Sequence, residues 1–415
     1  MSAARPLRLL AVTLRYPPYV AGGYELLTRD AVEALRARGH DVCVLAGRGE
    51  RLTGVDGVLP WLEPELDAGD PFERALQASN LERTRLHFLR RANLHATRRA
   101  LQEVRPDVLV FFNLGLVSLA PILAARRAGV PTLGYVSDPW PANHWVLAWR
   151  ATGPGHKRLR RGLLERAWRG FRSHVDLGPL LCCSAHLAHR LAGEGLPPKT
   201  LQVLHLGVPP DVEERTAALE PPRRAPDEPL RVACISALWR GKGQDVLLRA
   251  LADVRARGLP VELWLAAPSE TSEFRRELGE LMATHQLADA VEVLEGLPRA
   301  ELSARLARSH VLVVPSVWQE PYPLSTLEGM AHGLAVVVSD AGGTPEAVDA
   351  GHDGCVFPAG DAAALADVLA ELAADEEARH ALGRAAQARA RERSSHAAFV
   401  DGLERALREV LGGTG

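Results

Sequence analysis

Residues 7–45 read LRLLAVTLRYPPYVAGGYELLTRDAVEALRARGHDVCVL, and the pattern of apolar residues in this stretch decides the fold class. The run 7–14 is almost continuously apolar, which is typical of a strand that is buried on both faces. A loop rich in proline and glycine follows over 15–23, and residues 24–38 have the spacing of an amphipathic helix. A second strand is predicted over 42–45. Strand, helix and strand in this order predict a βαβ unit and therefore a parallel sheet.

The remainder of the chain continues this alternation of strands and helices in two halves. In the first half, apolar runs predict further strands at 108–112, 132–136, 180–183 and 203–204. In the second half, strands are predicted at 231–235, 262–266, 291–294, 311–314 and 335–338. Helical spacing between these runs makes each half an α/β unit built on a parallel sheet.

Residues 213–229 separate the two halves, and they carry four prolines among several charged residues. Such a composition is typical of a linker between domains. A chain of 415 residues is also too long for one ordinary hydrophobic core. We therefore predict a Rossmann-like domain over 1–212, a linker over 213–229, a second Rossmann-like domain over 230–394 and an amphipathic helix over 395–415.

Charge and composition argue against several classes of protein. The net charge of −2 argues against nucleic acid as the main partner, because proteins that follow a phosphate backbone are usually strongly basic. The five cysteines lie in apolar runs without the spacing of metal ligands, and no Asp-x-Asp pair occurs, so we expect no metal and no cofactor. No apolar stretch approaches the ~20 residues of a membrane helix, and no signal-peptide pattern precedes the first strand. We expect a cytoplasmic protein with reduced thiols.

The most specific segment is SVWQEPYPLSTLEGMAHG over residues 316–333, which follows a predicted strand. Glu320 precedes a strand-to-helix turn, and Glu328 lies on a helix that should begin near Leu324. The unpaired N–H groups at a helix N-terminus suit a diphosphate. A carboxylate one turn further along the helix can accept hydrogen bonds from two ribose hydroxyls, and the other carboxylate is placed to contact a sugar.

This segment resembles the Glu-x₇-Glu motif of the family 4 retaining glycosyltransferases, which have the GT-B fold. Four further segments match the family in the same order: Gly22-Gly23, ALWRGKG at 237–243, Gly296-Leu297 and DAGGTPE at 340–346. The resemblance covers nearly the whole chain. It implies an α/β fold of two doubly wound Rossmann-like domains that face each other across a cleft. It further implies that the first domain binds mainly the acceptor, that the second binds mainly the donor, and that the last helix crosses back to the first domain.

The resemblance implies a role for each matched side chain at the donor. Glu328 should bind the ribose hydroxyls, Glu320 should contact the transferred sugar, and Lys242 should neutralise the diphosphate. The backbone N–H groups of Leu324 and Ser325 should cap the same diphosphate. Fixed positive charge at the leaving oxygens stabilises the transition state more than the ground state, so no metal ion is required by this chemistry.

Two loops should complete the donor site in the same family pattern. The backbone at Gly296 and Leu297 should hold the base. The loop at Gly22 and Gly23 should approach the phosphates closely, because glycine has no side chain to keep them apart. No covalent nucleophile is evident in the sequence, so we favour front-face displacement, in which the leaving phosphate oxygen helps to deprotonate the acceptor.

The chain departs from the family pattern at two charged positions. The family usually carries an arginine five residues before the lysine, where this chain has Ala237, and Arg240 is the predicted substitute. The family also commonly has a histidine at the end of the strand that this chain continues with Ser137 and Asp138. We predict that Asp138 takes over a sugar or acceptor contact and acts with Glu320 and Lys242 in catalysis.

A third departure lies between the two glutamates, where the usual glycines are replaced by Pro321 and Pro323. Proline has no N–H, so only Tyr322 can donate a backbone hydrogen bond to the donor there. This departure predicts altered recognition of the donor sugar.

The expected acceptor is a small molecule or a cell-envelope precursor such as a lipid-linked sugar, with Asp138, Trp140 and His144 as its contacts in the first domain. For His144, packing between tryptophans is the favoured alternative. The basic residues between 83 and 99 and those over 157–161 are best interpreted as solvated helix faces. Contact with an anionic acceptor or a membrane surface is the alternative for both clusters.

Two other functions fit the same fold. A nucleotide-sugar epimerase would need acid–base groups and no separate acceptor. A non-catalytic partner protein would keep the fold without turnover, and the changes at Ala237 and Ser137 favour it, whereas intact Glu320, Lys242 and Glu328 argue against it.

Overall fold

The computed structural model describes residues 5–20, 22–68, 90–141, 176–267 and 272–412. The chain divides into two units, each with its own parallel sheet. The first unit comprises Met1–Leu204 together with Val400–Gly415, and the second comprises His205–Phe399.

The sheet of the first unit has seven strands in the order β3-β2-β1-β4-β5-β6-β7, all paired in parallel. The strands are β1 (Arg8–Val12), β2 (Asp41–Gly47), β3 (Val58–Leu62), β4 (Val108–Phe111), β5 (Thr132–Val136), β6 (Leu180–Cys182) and β7 (Leu201–Val203). The helices described between them are α1 (Gly23–Ala37), α2 (Arg91–Val104), α3 (Ala120–Arg127) and α4 (Ala185–Gly193).

The sheet of the second unit has six parallel strands in the order β10-β9-β8-β11-β12-β13. They are β8 (Leu230–Ile235), β9 (Val261–Ala267), β10 (Val291–Glu295), β11 (Val311–Val314), β12 (Ala335–Ser339) and β13 (Cys355–Phe357). The accompanying helices are α5 (Pro210–Thr216), α6 (Gln244–Ala256), α7 (Ser272–Thr284), α8 (Arg299–Leu306), α9 (Leu324–Ala331), α10 (Ala362–Ala374), α11 (Glu376–Glu392) and α12 (His396–Gly412).

The central strands are buried on both faces, as their continuous apolar runs predict. Residues 9–12 of β1 and residues 335–338 of β12 are all no more than 1% exposed. Two edge strands, β3 and β13, were not predicted from the sequence. Pro60 interrupts the apolar pattern of β3, and proline is tolerated there because β3 pairs with a neighbour on one side only.

Each strand order reverses direction at one point, and that point determines where a ligand can bind. The first reversal lies between β1 and β4, and the second lies between β8 and β11. In open parallel sheets, ligands bind outside the carboxyl ends of the strands at such a switch point. A ligand-binding site in the second unit is therefore expected at the loops after β8 and β11.

The segment predicted to be a linker, 213–229, lies within the second unit and is bound along its length to α11. Gln387 of α11 donates a hydrogen bond to the Leu219 carbonyl at 3.0 Å, and the backbone N–H of Arg224 donates to Glu376 at 3.1 Å. The first part of the segment is helical, since α5 extends to Thr216. Prolines keep this stretch extended, so its carbonyls are available to side chains of α11, and composition alone cannot distinguish this from a free linker.

The last helix, α12, begins in the second unit, but its residues from Val400 onwards belong to the first. There, Glu404 accepts a hydrogen bond from Arg38 at 3.1 Å. Leu403 and Leu407 are both fully buried.

Candidate functional site

Two loops meet at the switch point of the second sheet, one after β8 and one after β11. The carbonyl of Gly241 accepts hydrogen bonds from the backbone N–H groups of Val317 at 2.8 Å and Trp318 at 3.2 Å. Gly243 has a φ of +70°, and a Cβ at this position would overlap the carbonyl oxygen of Pro315. The RGKG turn therefore packs directly against the loop that carries Glu320, and Gly243 is needed for that approach.

Glu320 and Lys242 form a buried ion pair between these loops. The Lys242 Nζ lies 2.5 Å from Glu320 Oε2, and the Glu320 side chain is only 9% exposed. The same oxygen accepts hydrogen bonds from Trp318 Nε1 at 2.7 Å and from Ser316 Oγ at 3.2 Å. Within the part of the chain that the structure describes, the other oxygen, Oε1, receives no hydrogen bond. One oxygen thus anchors the side chain, and the other is available to a ligand.

A third loop, after β12, holds the backbone of Glu320. The N–H of Gly343 donates a hydrogen bond to the Glu320 carbonyl at 2.7 Å. Gly342 has a φ of +64°, and a Cβ there would overlap the backbone of Glu320. Two glycine-containing loops therefore hold the segment that carries this glutamate.

The helix α9 begins at Leu324, as predicted, and its N-terminus is open. The N-cap residue is Pro323, and no side chain caps the first turn. Leu324 and Ser325 are both partly exposed, so their N–H groups can reach a ligand. An uncapped helix N-terminus carries a partial positive charge and favours anions.

Glu328 lies one turn into α9, and its carboxylate is ion-paired. Arg299 Nη1 donates to Glu328 Oε1 at 2.8 Å, and Arg299 Nε donates to Asp211 Oδ2 at 3.1 Å. Burial raises the pKa of Glu328 above its usual value, and the charge of Arg299 opposes that rise. Sequence reasoning missed both Arg299 and Asp211. Arg299 follows the Gly296-Leu297 motif closely and could have been noticed, whereas no local signal connects it with Asp211, 88 residues earlier.

The predicted substitute for the missing arginine, Arg240, points to a different partner. Its guanidinium forms an ion pair with Glu277 of α7 at 2.7 Å and lies 5.9 Å from the ring centroid of Phe274. Its side chain is 72% exposed. The structure therefore brings Lys242 to Glu320 but not Arg240, and a role for Arg240 at the diphosphate stays a prediction.

The remaining predicted residues of this unit lie on the neighbouring loops. Gly296 follows β10 with a φ of +60°, and its N–H donates to the Ala267 carbonyl at 3.0 Å, which places Leu297 just beyond the strand end. Tyr322 is buried and stacks on His205 with ring centroids 5.1 Å apart. His205 Nε2 lies 3.1 Å from a carboxylate oxygen of Glu346.

In the first unit, the predicted glycine loop leads into α1. The N–H of Gly22 donates to the Glu25 carboxylate at 2.9 Å, which caps the helix, and Gly23 is the first helical residue. A Cβ at Gly22 would meet nothing within 4 Å. Packing of the described residues therefore does not require glycine at position 22, and close approach by a ligand remains the predicted reason for it.

Tyr24 organises the carboxyl ends of two strands in this unit, a role that the sequence did not suggest. Its hydroxyl lies 2.7 Å from the Phe112 carbonyl and 3.1 Å from the Tyr135 carbonyl, and it accepts a hydrogen bond from the N–H of Ser137 at 3.1 Å. The next residue, Asp138, accepts a hydrogen bond from the N–H of Trp140 at 2.8 Å. Burial raises the pKa of Asp138 to about 6.

The predicted acceptor residues have different surroundings. Trp140 is only 6% exposed and packs edge-to-face on Phe111, with ring centroids 6.1 Å apart, so its described contacts are those of a core residue. His144 and the basic cluster at 157–161 lie outside the described residues. In the other basic cluster, Arg83 and Arg85 also lie outside the described residues, and Arg99 forms an ion pair with Glu103 at 2.8 Å on the surface of α2.

Among the described residues, no group of three or more His, Cys, Asp or Glu side chains converges as potential metal ligands. No helix in the described ranges is both long and apolar enough to cross a bilayer.

Comparison with known proteins gives matches along most of the chain. The model described as "Glycosyltransferase Family 4" matches residues 21–212, and the model described as "Glycosyl transferases group 1" matches residues 217–389. A putative colanic acid biosynthesis glycosyltransferase of Salmonella typhimurium, WcaL, is 31% identical over 45% of each chain, so the match spans about half the length of that relative. A glycogen synthase of Mycobacterium tuberculosis is 28% identical over 92% of this chain and 90% of its own.

Among solved structures, a glycosyltransferase from Rickettsia africae has the same fold. It superposes with a TM-score of 0.73, covering 98% of this chain and 99% of its own at 15% identity. This likeness supports the predicted GT-B architecture of two parallel-sheet units.

Proposed function

Because this chain belongs to family 4 of the glycosyltransferases, a retaining family that uses nucleotide-sugar donors, we propose that it transfers a sugar from a nucleotide diphosphate to a hydroxyl of a glycan acceptor. The observation that carries this proposal is the cluster at the carboxyl edge of the second sheet. There, Lys242 and Glu320 form a buried pair beside the open N-terminus of α9, which also bears Glu328.

Each part of the cluster suits one part of the donor. The ammonium group of Lys242 and the free N–H groups of Leu324 and Ser325 supply positive charge for a diphosphate. The unbound oxygen of Glu320 is available to a hydroxyl of the transferred sugar. The Glu328 carboxylate, one turn further along α9, takes the ribose hydroxyls.

The proposed reaction breaks the bond between the anomeric carbon and the leaving phosphate oxygen, and the acceptor oxygen attacks the same face. Negative charge develops on the diphosphate as the bond breaks, and Lys242 with the helix N-terminus stabilises that charge. The leaving phosphate oxygen takes the proton of the acceptor hydroxyl. This step needs no protein nucleophile and results in retention of configuration.

A glycan acceptor is favoured by the names of the two relatives. One is a glycogen synthase and the other is named for colanic acid biosynthesis. We assign the carboxyl edge of the first sheet, with the Gly22-Gly23 loop and Asp138, to ligand contacts of the first unit, chiefly with the acceptor. In this assignment Asp138 replaces the histidine that is common in the family.

The test is thermal-shift binding of UDP, GDP, ADP and dTDP with their sugar forms, in the presence of EDTA. Wild type is compared with Glu328→Ala and with Glu377→Ala, a control that removes an exposed glutamate of α11. A ligand that binds only the folded protein raises the melting temperature. We expect one nucleotide to give a clear shift that Glu328→Ala loses and Glu377→Ala keeps.

Absence of a shift with every nucleotide would overturn the donor-site assignment and favour a non-catalytic protein of the same fold. A donor that is converted without any acceptor would favour an epimerase. Transfer to a glycan primer, with the anomeric configuration of the product read by NMR, would support the proposed reaction.

A further inference from the structure

Arg299 connects three helices of the second unit through its guanidinium group. It is the first residue of α8, and its Nη1 donates to Glu328 of α9 at 2.8 Å. Its Nε and Nη2 donate to the Asp211 carboxylate of α5 at 3.1 and 3.4 Å. Three of its N–H groups are thus used by two carboxylates, an arrangement that suits the planar fork of the guanidinium.

The three side chains differ in their exposure to solvent. The Glu328 side chain is 9% exposed, whereas those of Arg299 and Asp211 are 39% and 37% exposed. A buried carboxylate without a partner is costly, and Arg299 is the residue that relieves this cost. Asp211 in turn restrains an arginine that would otherwise be free to move at the surface.

The pairing leaves Glu328 able to bind a ligand. Arg299 occupies only Oε1, and among the described residues no donor reaches Oε2. A carboxylate has about four lone-pair sites, so the held side chain can still accept hydrogen bonds from two hydroxyls.

We propose that Arg299 is a positioning residue of the donor site: anchored by Asp211, it holds the Glu328 carboxylate charged and oriented for the ribose hydroxyls. This inference rests on the proposed function, in which Glu328 binds the ribose. The proposal adds Arg299 as a residue that acts through Glu328. It also gives a reason for the ion pair at the carboxylate that is assigned to the ribose.

The electrostatics agree with this geometry. Burial raises the pKa of Glu328, Asp211 adds to the rise, and Arg299 opposes both. Another titratable group beside it is His332, which directly follows α9. Its Nδ1 lies 2.7 Å from the Glu328 carbonyl, and burial lowers its pKa, which favours the neutral form. From α11, the side chain that hydrogen-bonds to α9 is the neutral Gln387. Arg299 therefore favours the ionised form of Glu328 against the effects of burial and of Asp211.

The direction of the pH effect follows from these charges. Without Arg299, the pKa of Glu328 rises further, so the carboxyl takes up a proton at a higher pH than in the wild type. A protonated carboxyl is a poorer acceptor for ribose hydroxyls. Donor binding by an Arg299 variant should therefore weaken as the pH falls and recover as the pH rises.

The test measures the Kd of the preferred nucleoside diphosphate by calorimetry from pH 6 to pH 9. We expect Arg299→Gln to weaken binding on the order of tenfold at pH 6 and to approach wild type at pH 9, while the wild-type Kd changes little. With Arg299→Lys, the Kd should again depend only weakly on pH, because lysine keeps the positive charge beside Glu328. The matched control is Arg305→Gln, which removes an ion pair to Glu292 of 2.7 Å from the same helix and should leave the Kd unchanged.

A second measurement separates positioning from a general structural effect. A 2′-deoxy nucleotide lacks one of the hydroxyls assigned to Glu328, so the loss caused by Arg299→Gln should be smaller for it than for the ribonucleotide. The double variant with Glu328→Gln should show no pH dependence, because the titrating group is gone.

Two results would count against the proposal in different ways. If Arg299→Gln weakens binding equally at every pH and for both nucleotides, Arg299 has only a structural role and the inference is overturned. If Glu328→Ala itself binds nucleotides as tightly as wild type, the donor-site assignment fails and the inference fails with it.

Discussion

At the scale of single residues, Lys242 is the charge on which the proposed donor site depends. Its Nζ lies 2.5 Å from Glu320 and 5.3 Å from the ring centroid of Trp318. We expect Lys242→Met to lower kcat/KM on the order of 100-fold, because it removes positive charge at the leaving diphosphate. Steady-state kinetics with the preferred donor would measure this. Lys199→Met, an exposed lysine of the first unit, is the matched control and should retain full activity.

Tyr24 is a second residue whose effect can be isolated by removing one atom. Tyr24→Phe deletes the hydroxyl that binds the N–H of Ser137 at 3.1 Å and lies 2.7 Å from the Phe112 carbonyl. We expect a loss of about 1–3 kcal/mol in the free energy of unfolding, measured with urea, because these buried groups lose a partner. The kcat/KM should also fall, since the loop that carries Asp138 is loosened.

The comparison for this prediction is Tyr16→Phe. Tyr16 contacts Glu33 through a long hydrogen bond of 3.5 Å, so its hydroxyl should matter less to stability. If both variants lose the same free energy of unfolding, the hydrogen bonds of the Tyr24 hydroxyl contribute no more to stability than the long hydrogen bond of Tyr16.

Asp138 leads to a prediction about pH. Burial raises its pKa to about 6, above the ordinary value of an aspartate, so the folded protein holds this proton more tightly than the unfolded chain does. Its contribution to stability is therefore greatest at low pH and is lost as the pH rises toward 6. Asp138→Asn should be more stable relative to wild type at pH 7 than at pH 4.5. Urea unfolding of both proteins at the two pH values would measure the difference, and an unchanged difference would contradict the assigned pKa.

At the scale of elements, the site depends on how closely loops approach one another. Gly243 has a positive φ and packs against Pro315, so Gly243→Ala combines backbone strain with a steric overlap. Strain of this kind costs about 1–3 kcal/mol, and the overlap should also displace Lys242 from Glu320. We expect a lower Tm together with a reduced thermal shift on addition of the nucleotide.

Gly258 provides a matched control for the overlap. It has a φ of +79°, but a Cβ there would meet nothing within 4 Å. Gly258→Ala should therefore lower the Tm only through backbone strain. The increase in Tm on addition of the nucleotide should be the same as in the wild type. If the nucleotide raises the Tm of both variants equally, the packing of Gly243 against Pro315 is not what nucleotide binding depends on.

At the scale of the whole molecule, the proposal assigns different parts of the function to the two units. The residues assigned to the donor belong mainly to the second unit, while the end of α12 packs into the first. Leu407→Ala removes a fully buried side chain of α12 and should cost about 2–5 kcal/mol of stability. The nucleotide Kd measured below the melting transition should remain unchanged, because Leu407 is not part of the donor cluster.

Much of this molecule follows from its sequence because the relevant signals are local. Continuous apolar runs predicted the buried strands, and the segment 316–333 predicted a helix that begins at Leu324 and carries Glu328. The family membership was also evident, since matching segments occur in the same order along the chain. The edge strand β3 was missed because Pro60 breaks the local pattern, and the contacts of the segment 213–229 could not be predicted because its partners lie on a distant helix.

Only the tertiary structure decided which charged groups meet. Glu320 is joined to Lys242 across 78 positions, and Glu328 is joined through Arg299 to Asp211. Arg240, the predicted substitute for the family's arginine, forms an ion pair with Glu277 that no local signal indicated. Periodicity and turn signals act between residues that are near in sequence, so one chain is enough to read them. Ion pairs between loops depend on the order of the strands and on glycines that allow close approach, and these appear only when the sheet has formed.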